Sequence, residues 1–265
     1  MTFAEATAVQ SVADDEYTVR VAEGWDIAGN ANGGYLLAIM GRAITAATGR
    51  PDVVSITGHY LAPARPSTGR VAVEVVRSGG RHATASAMLE LDGRPTLVAL
   101  ATVTDLADAV GPEQIDAAVP ELPAPDDCVA FSPSGDGPGP PSFASQVEMR
   151  LHPEDASFAE GRPSGRARMR GWFRLRDGER ADSLALVLAT DAFPPTIFNA
   201  DLPVAWTPTV ELTAHVRAAA PPGWWRCAFR TRFISGGYLE ADGEIWDGSG
   251  RLLAESRQLA LVPRG

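Results

Sequence analysis

The residue best suited to chemistry is Asp191, at the end of a segment made almost wholly of leucine, valine, alanine and phenylalanine. The spacing predicts a helix over residues 184–193, which Pro194 and Pro195 end. A carboxylate near the C-terminal end of such a helix meets the negative end of the helix dipole and an apolar surround, and both disfavour its charge. Such an acid has hydrogen-bond partners or takes part in proton transfer. Two structural alternatives stay open: Asp191 points to solvent at a frayed helix end, or it caps the Pro194–Pro195 turn.

A second stretch suited to chemistry is a polar turn whose paired glycines, Gly33 and Gly34, lead directly into a helix. This helix, residues 33–47, is apolar on nearly every face, so other structure must enclose it. The glycines allow close backbone approach and leave the N–H groups of the first turn uncovered. Because a bare helix N-terminus favours negative charge, a backbone N–H near Gly33, Gly34 or Tyr35 is a candidate oxyanion donor and substrate contact. The alternative is that the glycines only let the turn pack.

Composition and motifs exclude several classes of function. A net charge of −10 argues against a nucleic-acid partner and an anionic membrane surface. No apolar run is long enough to span a membrane, and the N-terminus lacks a secretory pattern, so we expect a cytoplasmic protein. The two cysteines lack C-x-x-C spacing, and neither a zinc motif nor a G-x-S-x-G elbow occurs among the histidines and serines. We therefore expect neither a metal nor a cofactor.

Alternating apolar and polar residues predict two series of strands, separated by a segment rich in proline, glycine and aspartate. The first series covers residues 17–21, 53–61, 71–76, 83–91 and 96–103, after a loose lead-in at residues 1–16. The second covers residues 168–175, 209–216, 225–233, 238–246 and 252–262. We predict an N-terminal domain at residues 1–104, a linker at 105–146 and a C-terminal domain at 147–265.

The two series repeat each other. Ile56-Thr57-Gly58-His59 resembles Leu212-Thr213-Ala214-His215 at an offset of 156 residues, and Asp92-Gly93 resembles Asp247-Gly248 at an offset of 155. Two short motifs that lie about 35 residues apart in each half indicate an internal duplication. A long helix enclosed by an antiparallel sheet, present twice, predicts an α+β fold of the tandem, or double, hotdog type.

The chain resembles the double-hotdog acyl-CoA thioesterases of the thioesterase II type. The matching motifs are the Gly33-Gly34 helix start, His59-Tyr60-Leu61-Ala62-Pro63, Arg77-Ser78-Gly79-Gly80-Arg81, Thr190-Asp191, Thr209-Val210-Glu211 and Glu255-Ser256-Arg257-Gln258. The resemblance implies that Asp191, Thr209 and Gln258 hold and activate a water molecule. Thr207 and Thr213 stay open as alternatives to Thr209. It further implies an acyl-CoA substrate and a homodimer or higher homo-oligomer.

The duplication predicts that only the second half carries this trio. When the halves are aligned, Gln258 corresponds to Thr102 or Val103, and Asp191 to Gly41 or Arg42. One active site per chain follows. The arginines that could meet the phosphates of CoA are Arg162, Arg166, Arg168 and Arg170, although a solvated strand edge explains them as well.

The leading hypothesis from the sequence is therefore an acyl-CoA thioesterase that releases a carboxylic acid and CoA. A non-catalytic acyl or acyl-CoA binding protein on the same fold is the alternative, and a structural dimerisation module is a third possibility. A hotdog hydratase is disfavoured because its aspartate, expected five residues before a histidine, is replaced by valine or arginine at each of the four possible positions.

Overall fold

The alternating segments form β-strands in a computed structural model of the protein, which describes residues 1–131, 142–176, 178, 181–200 and 202–263. Most of the predicted Gly/Pro cluster of the linker falls within residues 132–141, outside the described residues. The α-helices are α1 (Phe3–Ala6), α2 (Gly33–Thr48), α3 (Pro153–Ala156) and α4 (Ser183–Ala189). The strands are β1 (Val9–Ala13), β2 (Glu16–Val21), β3 (Asp26–Ile27), β4 (Asn30–Ala31), β5 (Asp52–Tyr60), β6 (Ser67–Ser78), β7 (Ala83–Leu91), β8 (Arg94–Thr104), β9 (Val129–Ala130), β10 (Val147–Leu151), β11 (Arg168–Leu175), β12 (Thr209–Val216), β13 (Trp225–Arg230), β14 (Ile234–Ser235), β15 (Tyr238–Trp246) and β16 (Leu252–Leu261).

Most strands of the described residues join one continuous antiparallel sheet. Its order is β1-β2-β6-β7-β8-β5-β12-β16-β15-β13-β11-β10-β9, with β14 added to β15, while β3 and β4 pair separately. The predicted strands at residues 83–91, 168–175, 209–216 and 238–246 are confirmed with the same bounds. None of the helices in the described ranges is both long enough and apolar enough to cross a membrane.

The first sixteen residues are not the loose lead-in that their acidic composition predicts. A capping box between Thr2 and Glu5 begins α1, and the side chains of Phe3 and Ala6 are buried in the core. The next segment, β1, pairs with β2 at the edge of the sheet. The prediction was wrong because a single helical turn is too short to show a period.

The two halves meet at the centre of the sheet, where β5 pairs with β12. Thr57 lies opposite Thr213, and their Oγ1 atoms are 2.8 Å apart. These two threonines are the residues that the 156-residue offset makes equivalent. A residue that faces its own equivalent lies on a two-fold axis, as at a symmetric dimer interface. The pairing therefore relates the halves by a pseudo-two-fold axis through this pair, as a duplication requires.

The helices α2 and α4 lie inside the curved sheet and pack against each other. Ten residues of α2 and all seven of α4 are buried. A continuous hydrophobic core holds the inner face of the sheet against both helices. This architecture, an antiparallel sheet wrapped around one buried helix in each half, confirms the predicted α+β double hotdog fold.

The second helix is shorter than predicted. It begins after Asp182, whose carboxylate accepts from the first-turn amides, and ends at Ala189 instead of Phe193. Thr190 is the C-cap, and its hydroxyl donates to the carbonyl of Val187. Because the following prolines lack N–H groups and disfavour helical backbone before them, the helix cannot extend to them. Asp191 therefore lies in the turn that follows α4.

Candidate active site

Asp191 faces the N-terminal end of α2. Its Oδ2 atom accepts a hydrogen bond from the Gly34 amide at 2.9 Å and a longer one from Asn32 Nδ2 at 3.2 Å. Asn32 Nδ2 also donates to the carbonyl oxygen of Asp191 at 2.8 Å. The carboxylate, predicted to meet the negative end of its own helix, thus meets the positive end of the neighbouring helix. It is half-buried and hydrogen-bonded across the two halves, so neither structural alternative from the sequence describes it.

Gln258 joins Asp191 to Thr209. Its Nε2 atom donates to Asp191 Oδ1 at 2.7 Å and to Thr209 Oγ1 at 2.8 Å. These two bonds place the carboxylate and hydroxyl oxygens no more than about 5.5 Å apart, so one water molecule could contact both. Because the Thr209 oxygen accepts from Gln258, its own proton is available, and no acceptor for it lies among the described residues. The structure thus brings together the three side chains that the resemblance implied.

A β-bulge points Thr209 to the inner side of the sheet. The inward residues of β12 are even-numbered, as Leu212 and Ala214 show. The pairing with β16 shifts between Thr209 and Glu211, so Val210 is an extra residue and the alternation reverses before it. Thr213 bonds to Thr57 on the outer face. The other alternative, Thr207, donates to the carbonyl of Ala205. Among the three threonines, Thr209 is therefore the one that contacts Gln258.

Burial raises the pKa of Asp191 from 3.8 to about 6. Hydrogen bonds from the Gly34 amide and the Gln258 side chain, together with the nearby Gly33 amide, act in the opposite direction and limit the rise. Most Asp191 carboxyl groups are therefore ionised at neutral pH, yet they are more basic than an exposed aspartate. A carboxylate with a pKa near the working pH is well matched to accept a proton from water.

The first-turn amides of α2 are not uncovered, which corrects the expectation from the sequence. Gly34 N–H donates to Asp191, and Tyr35 N–H donates to Asn32 Oδ1 at 2.9 Å. The Tyr35 side chain lies in the core, where its hydroxyl donates to the carbonyl of Ala6. An oxyanion role for Gly33, Gly34 or Tyr35 stays a prediction, and Gly34 and Tyr35 would have to exchange their present acceptors for the substrate oxygen.

Glycine is required at both positions of the pair because Asp191 approaches the backbone closely. A Cβ atom on Gly33 would lie 2.8 Å from Asp191 Oδ2 and 3.0 Å from the Tyr60 hydroxyl oxygen. A Cβ atom on Gly34 would lie 2.9 Å from the carbonyl oxygen of Leu188. The absent side chains thus let the carboxylate reach the helix end.

A cavity of about 570 Å³ opens onto this group of side chains. Asp191, Thr209 and Gln258 lie in its wall together with Gly33. The rest of the lining is chiefly apolar, and its aromatic members are Tyr60, Phe131, Phe143, Phe193, Phe198 and Trp206. Among the described residues, no arginine, lysine or histidine lines the cavity. The cavity suits an uncharged, largely apolar ligand with one polar group near Asp191.

Two residues of the site were not predicted from the sequence. Asn32 bonds to Asp191 as described above, and Tyr60 donates from its hydroxyl to the carbonyl of Gly33 at 2.8 Å. Burial, followed by the charges of Asp191 and Glu211, raises the pKa of Tyr60 well above its usual range, so it stays neutral. An N-cap preference for asparagine could have pointed to Asn32 as a cap. Neither the contact of Asn32 with Asp191 nor that of Tyr60 with Gly33 has a sequence signal.

Three of the four arginines considered for phosphate binding are paired with acids. Arg168 and Arg170 both contact the buried Asp155, and Arg162 contacts Glu160. Arg166 is exposed. His152, Glu154 and Asp155 lie close enough together to hold a cation. Both carboxylate oxygens of Asp155, however, already accept hydrogen bonds from Arg168 and Arg170.

Both halves of the chain match families of known proteins. The acyl-CoA thioesterase N-terminal domain family matches residues 21–104, and the C-terminal domain family matches residues 125–262. A Thermobifida fusca protein named as a candidate thioesterase II is 31% identical, with 100% of this chain and 98% of that chain covered at a TM-score of 0.88. An uncharacterized protein of Mycobacterium tuberculosis is 28% identical over 91% of this chain and 89% of its own.

A third comparison bears on the fold alone. A hot dog fold protein of Alicyclobacillus acidocaldarius is 22% identical, with 99% of this chain and 98% of that chain covered at a TM-score of 0.86. Its sheet and helices therefore follow the same course along nearly the whole chain. The two domain families match in the order that the duplication predicts, so this protein belongs to the double-hotdog acyl-CoA thioesterase family.

Proposed function

We propose that this protein hydrolyses acyl-CoA thioesters to a carboxylic acid and CoA, with a water activated by Asp191, Thr209 and Gln258. The observation that carries the proposal is the chain of hydrogen bonds from Asp191 Oδ1 through Gln258 Nε2 to Thr209 Oγ1 in the wall of the cavity. It supplies a base and a hydroxyl donor within reach of one water molecule.

The chemistry follows from the protonation states. The Asp191 carboxylate accepts one proton from water, while the Thr209 hydroxyl donates to a lone pair of the same water and orients the other lone pair toward the carbonyl carbon. A C–O bond forms, and the carbonyl electrons move to its oxygen. The intermediate then collapses, the C–S bond breaks, and the thiolate of CoA leaves. The proton on Asp191 passes to the products, so the carboxylate is restored without a cofactor.

The lining of the cavity supports one placement of the substrate. The apolar acyl group would lie against the aromatic side chains, with the thioester at Asp191. The phosphates of CoA carry several negative charges, and no described residue in the lining is cationic. The nucleotide end would therefore lie outside the cavity. The homodimer or larger homo-oligomer implied by the resemblance stays a prediction, which sedimentation velocity tests.

The activity is tested by thiol release from short, medium, long and aromatic acyl-CoAs. Asp191→Asn should lower kcat by about 10²–10⁴-fold, the usual contribution of a general base. Asp182→Asn is the matched control, since it changes a carboxylate to an amide at the other end of the same helix. Tight binding without turnover of any acyl-CoA would instead favour the non-catalytic binding protein.

The role of Asp191 as a base is tested by a single turnover in H₂¹⁸O with enzyme in excess. Direct attack by water gives an acid that carries ¹⁸O in the first turnover. Attack by the carboxylate itself would form an anhydride, and its hydrolysis at the aspartyl carbonyl would place an unlabelled protein oxygen in the acid. Unlabelled acid from the first turnover would therefore refute general-base catalysis.

A further inference from the structure

Asn32 links the two halves of the chain at Asp191. Its Oδ1 atom accepts from the Tyr35 amide at 2.9 Å and caps α2, while its Nδ2 atom donates to the carbonyl and to Oδ2 of Asp191. The residue is only 2% exposed. The orientation of its amide is fixed by these partners, because the Tyr35 N–H needs an acceptor and the oxygens of Asp191 need a donor.

The N-cap of α2 does not by itself require an asparagine at position 32. Serine or aspartate would accept from the Tyr35 amide equally well. The other buried helix, α4, is capped by an aspartate, Asp182, whose Oδ1 accepts from Leu184 and Ala185. An aspartate at position 32 would instead place a second carboxylate beside Asp191, where like charges repel. The NH₂ group is therefore the part of Asn32 that this position requires.

We propose that Asn32 is a positioning residue for the reaction, which holds the Asp191 carboxylate against the N-terminal end of α2 in its ionised form. The inference rests on the proposed function. Two bonds from one rigid, buried amide fix both the main chain and the side chain of Asp191. Hydrogen bonds donated to a carboxylate favour its charged form and so lower its pKa. The contact from Asn32 Nδ2 to Asp191 Oδ2, at 3.2 Å, would thereby add to the shorter bonds from Gly34 and Gln258 that oppose the effect of burial.

The titration of Asp191 can be followed without interference from Tyr60. Tyr60, from β5, stays neutral because its pKa is raised well above its usual range, first by burial and then by Asp191 and Glu211. Glu211, on β12, accepts a hydrogen bond from Thr213 on the outer face of the sheet. The groups of α2 and β16 that bond to the carboxylate are neutral.

The test compares Asn32→Ser with Asp182→Ser. Each variant keeps a hydroxyl acceptor at the cap of one buried helix, but only Asn32→Ser removes donors from Asp191. Asn32→Ser removes the hydrogen bond from Asn32 Nδ2 to the Asp191 carboxylate, and the loss of one hydrogen bond to a charged group raises a pKa by about one unit. The acid limb of the kcat/KM profile should therefore move to higher pH by about one unit in this variant. Asn32→Asp should move it further. Asp182→Ser should leave the limb in place, and an unmoved limb in a folded Asn32→Ser would overturn the proposal.

A second measurement does not need turnover. Infrared difference spectra of ¹³C-aspartate-labelled protein, with Asp191→Asn as the subtraction standard, follow the protonation of Asp191 directly. If the protein hydrolyses no acyl-CoA but Asn32→Ser raises this midpoint by about one unit, the proposed function fails while the contact holds. An unchanged midpoint, with or without turnover, refutes the role of Asn32.

Discussion

The free energy of unfolding of the Asp191→Asn variant, relative to that of the wild type, should increase as the pH rises. Burial raises the pKa of this carboxyl from 3.8 to about 6 in the folded state. A group whose folded pKa is raised contributes its full stability below pH 3.8 and loses it as the pH rises through 6. At pH 8 the wild-type protein has lost this contribution to stability, whereas an asparagine does not titrate. The stability of the variant relative to wild type should therefore increase between pH 4 and pH 8.

The size of the effect follows from the shift. A difference of about two pKa units corresponds to at most about 3 kcal/mol. The carboxylate lies in the cavity wall and is only half-buried, so solvent reduces the effect. We expect the relative free energy of unfolding to rise by about 1–2 kcal/mol from pH 4 to pH 8. Any pH-independent loss from altered hydrogen bonds cancels in this comparison.

Urea denaturation at both pH values measures this difference, and Asp242→Asn supplies a control of opposite sign. A hydrogen bond from Arg257 is the main cause that lowers the pKa of Asp242. Asp242 therefore contributes stability that is lost as the pH falls, and its asparagine variant should lose stability relative to wild type as the pH rises. A constant difference for Asp191→Asn across the whole range would show that burial does not raise its pKa, and the reasoning would be wrong.

Three further outcomes are expected. The kcat/KM of wild type should fall on the acid side with a midpoint near pH 6, because Asp191 must be ionised to accept a proton; a midpoint near 4 would contradict the raised pKa. Thr209→Val keeps the shape but removes the hydroxyl that would orient the water, and should lower kcat by about 10–100-fold, whereas Thr213→Val on the outer face should not change kcat. Gly34→Ala places a Cβ atom 2.9 Å from the Leu188 carbonyl oxygen and should lower stability by about 1–3 kcal/mol in urea denaturation; an unaffected midpoint would show that α2 and α4 separate freely.

The strands could be predicted from the sequence because one face of the sheet is buried. In β7 the alternation of buried and more exposed side chains continues to Leu91, and in β15 it continues to Ile245. Asp-Gly turns mark the far ends of both strands. The prediction failed for the two helical segments whose bounds the local sequence pattern does not determine. The end of α4 depends on a threonine cap, and α1 is a single turn held by packing of Phe3 in the core.

The site was predictable only in part. Asp191 was identifiable as a carboxylate in an apolar segment, whereas Thr209 and Gln258 came from a resemblance. The choice of Thr209 depends on a bulge at Val210, which no alternation in the sequence reveals. The contact of Asn32 with Asp191 joins residues 159 positions apart, so the geometry of the tertiary fold alone creates it.

The pseudo-two-fold axis shows why, among the described residues, the position equivalent to Asp191 does not repeat the proposed site. The caps Asn32 and Asp182 are equivalent, so Gly41 occupies the position of Asp191 in the other half. A Cβ atom on Gly41 would lie 2.5 Å from Leu184 Cδ2 and 3.4 Å from Val53 Cγ2.

The adjacent pair Arg42–Asp182, 2.8 Å between its charged atoms, lies at the cap of α4. Apolar packing and an ion pair thus occupy the place where the first half would need a cavity and a base. At the proposed site, Asp191 comes from the second half, and the helix end that it contacts comes from the first. Neither half could form this group of side chains alone, so the proposed active site depends on the interface between the two halves.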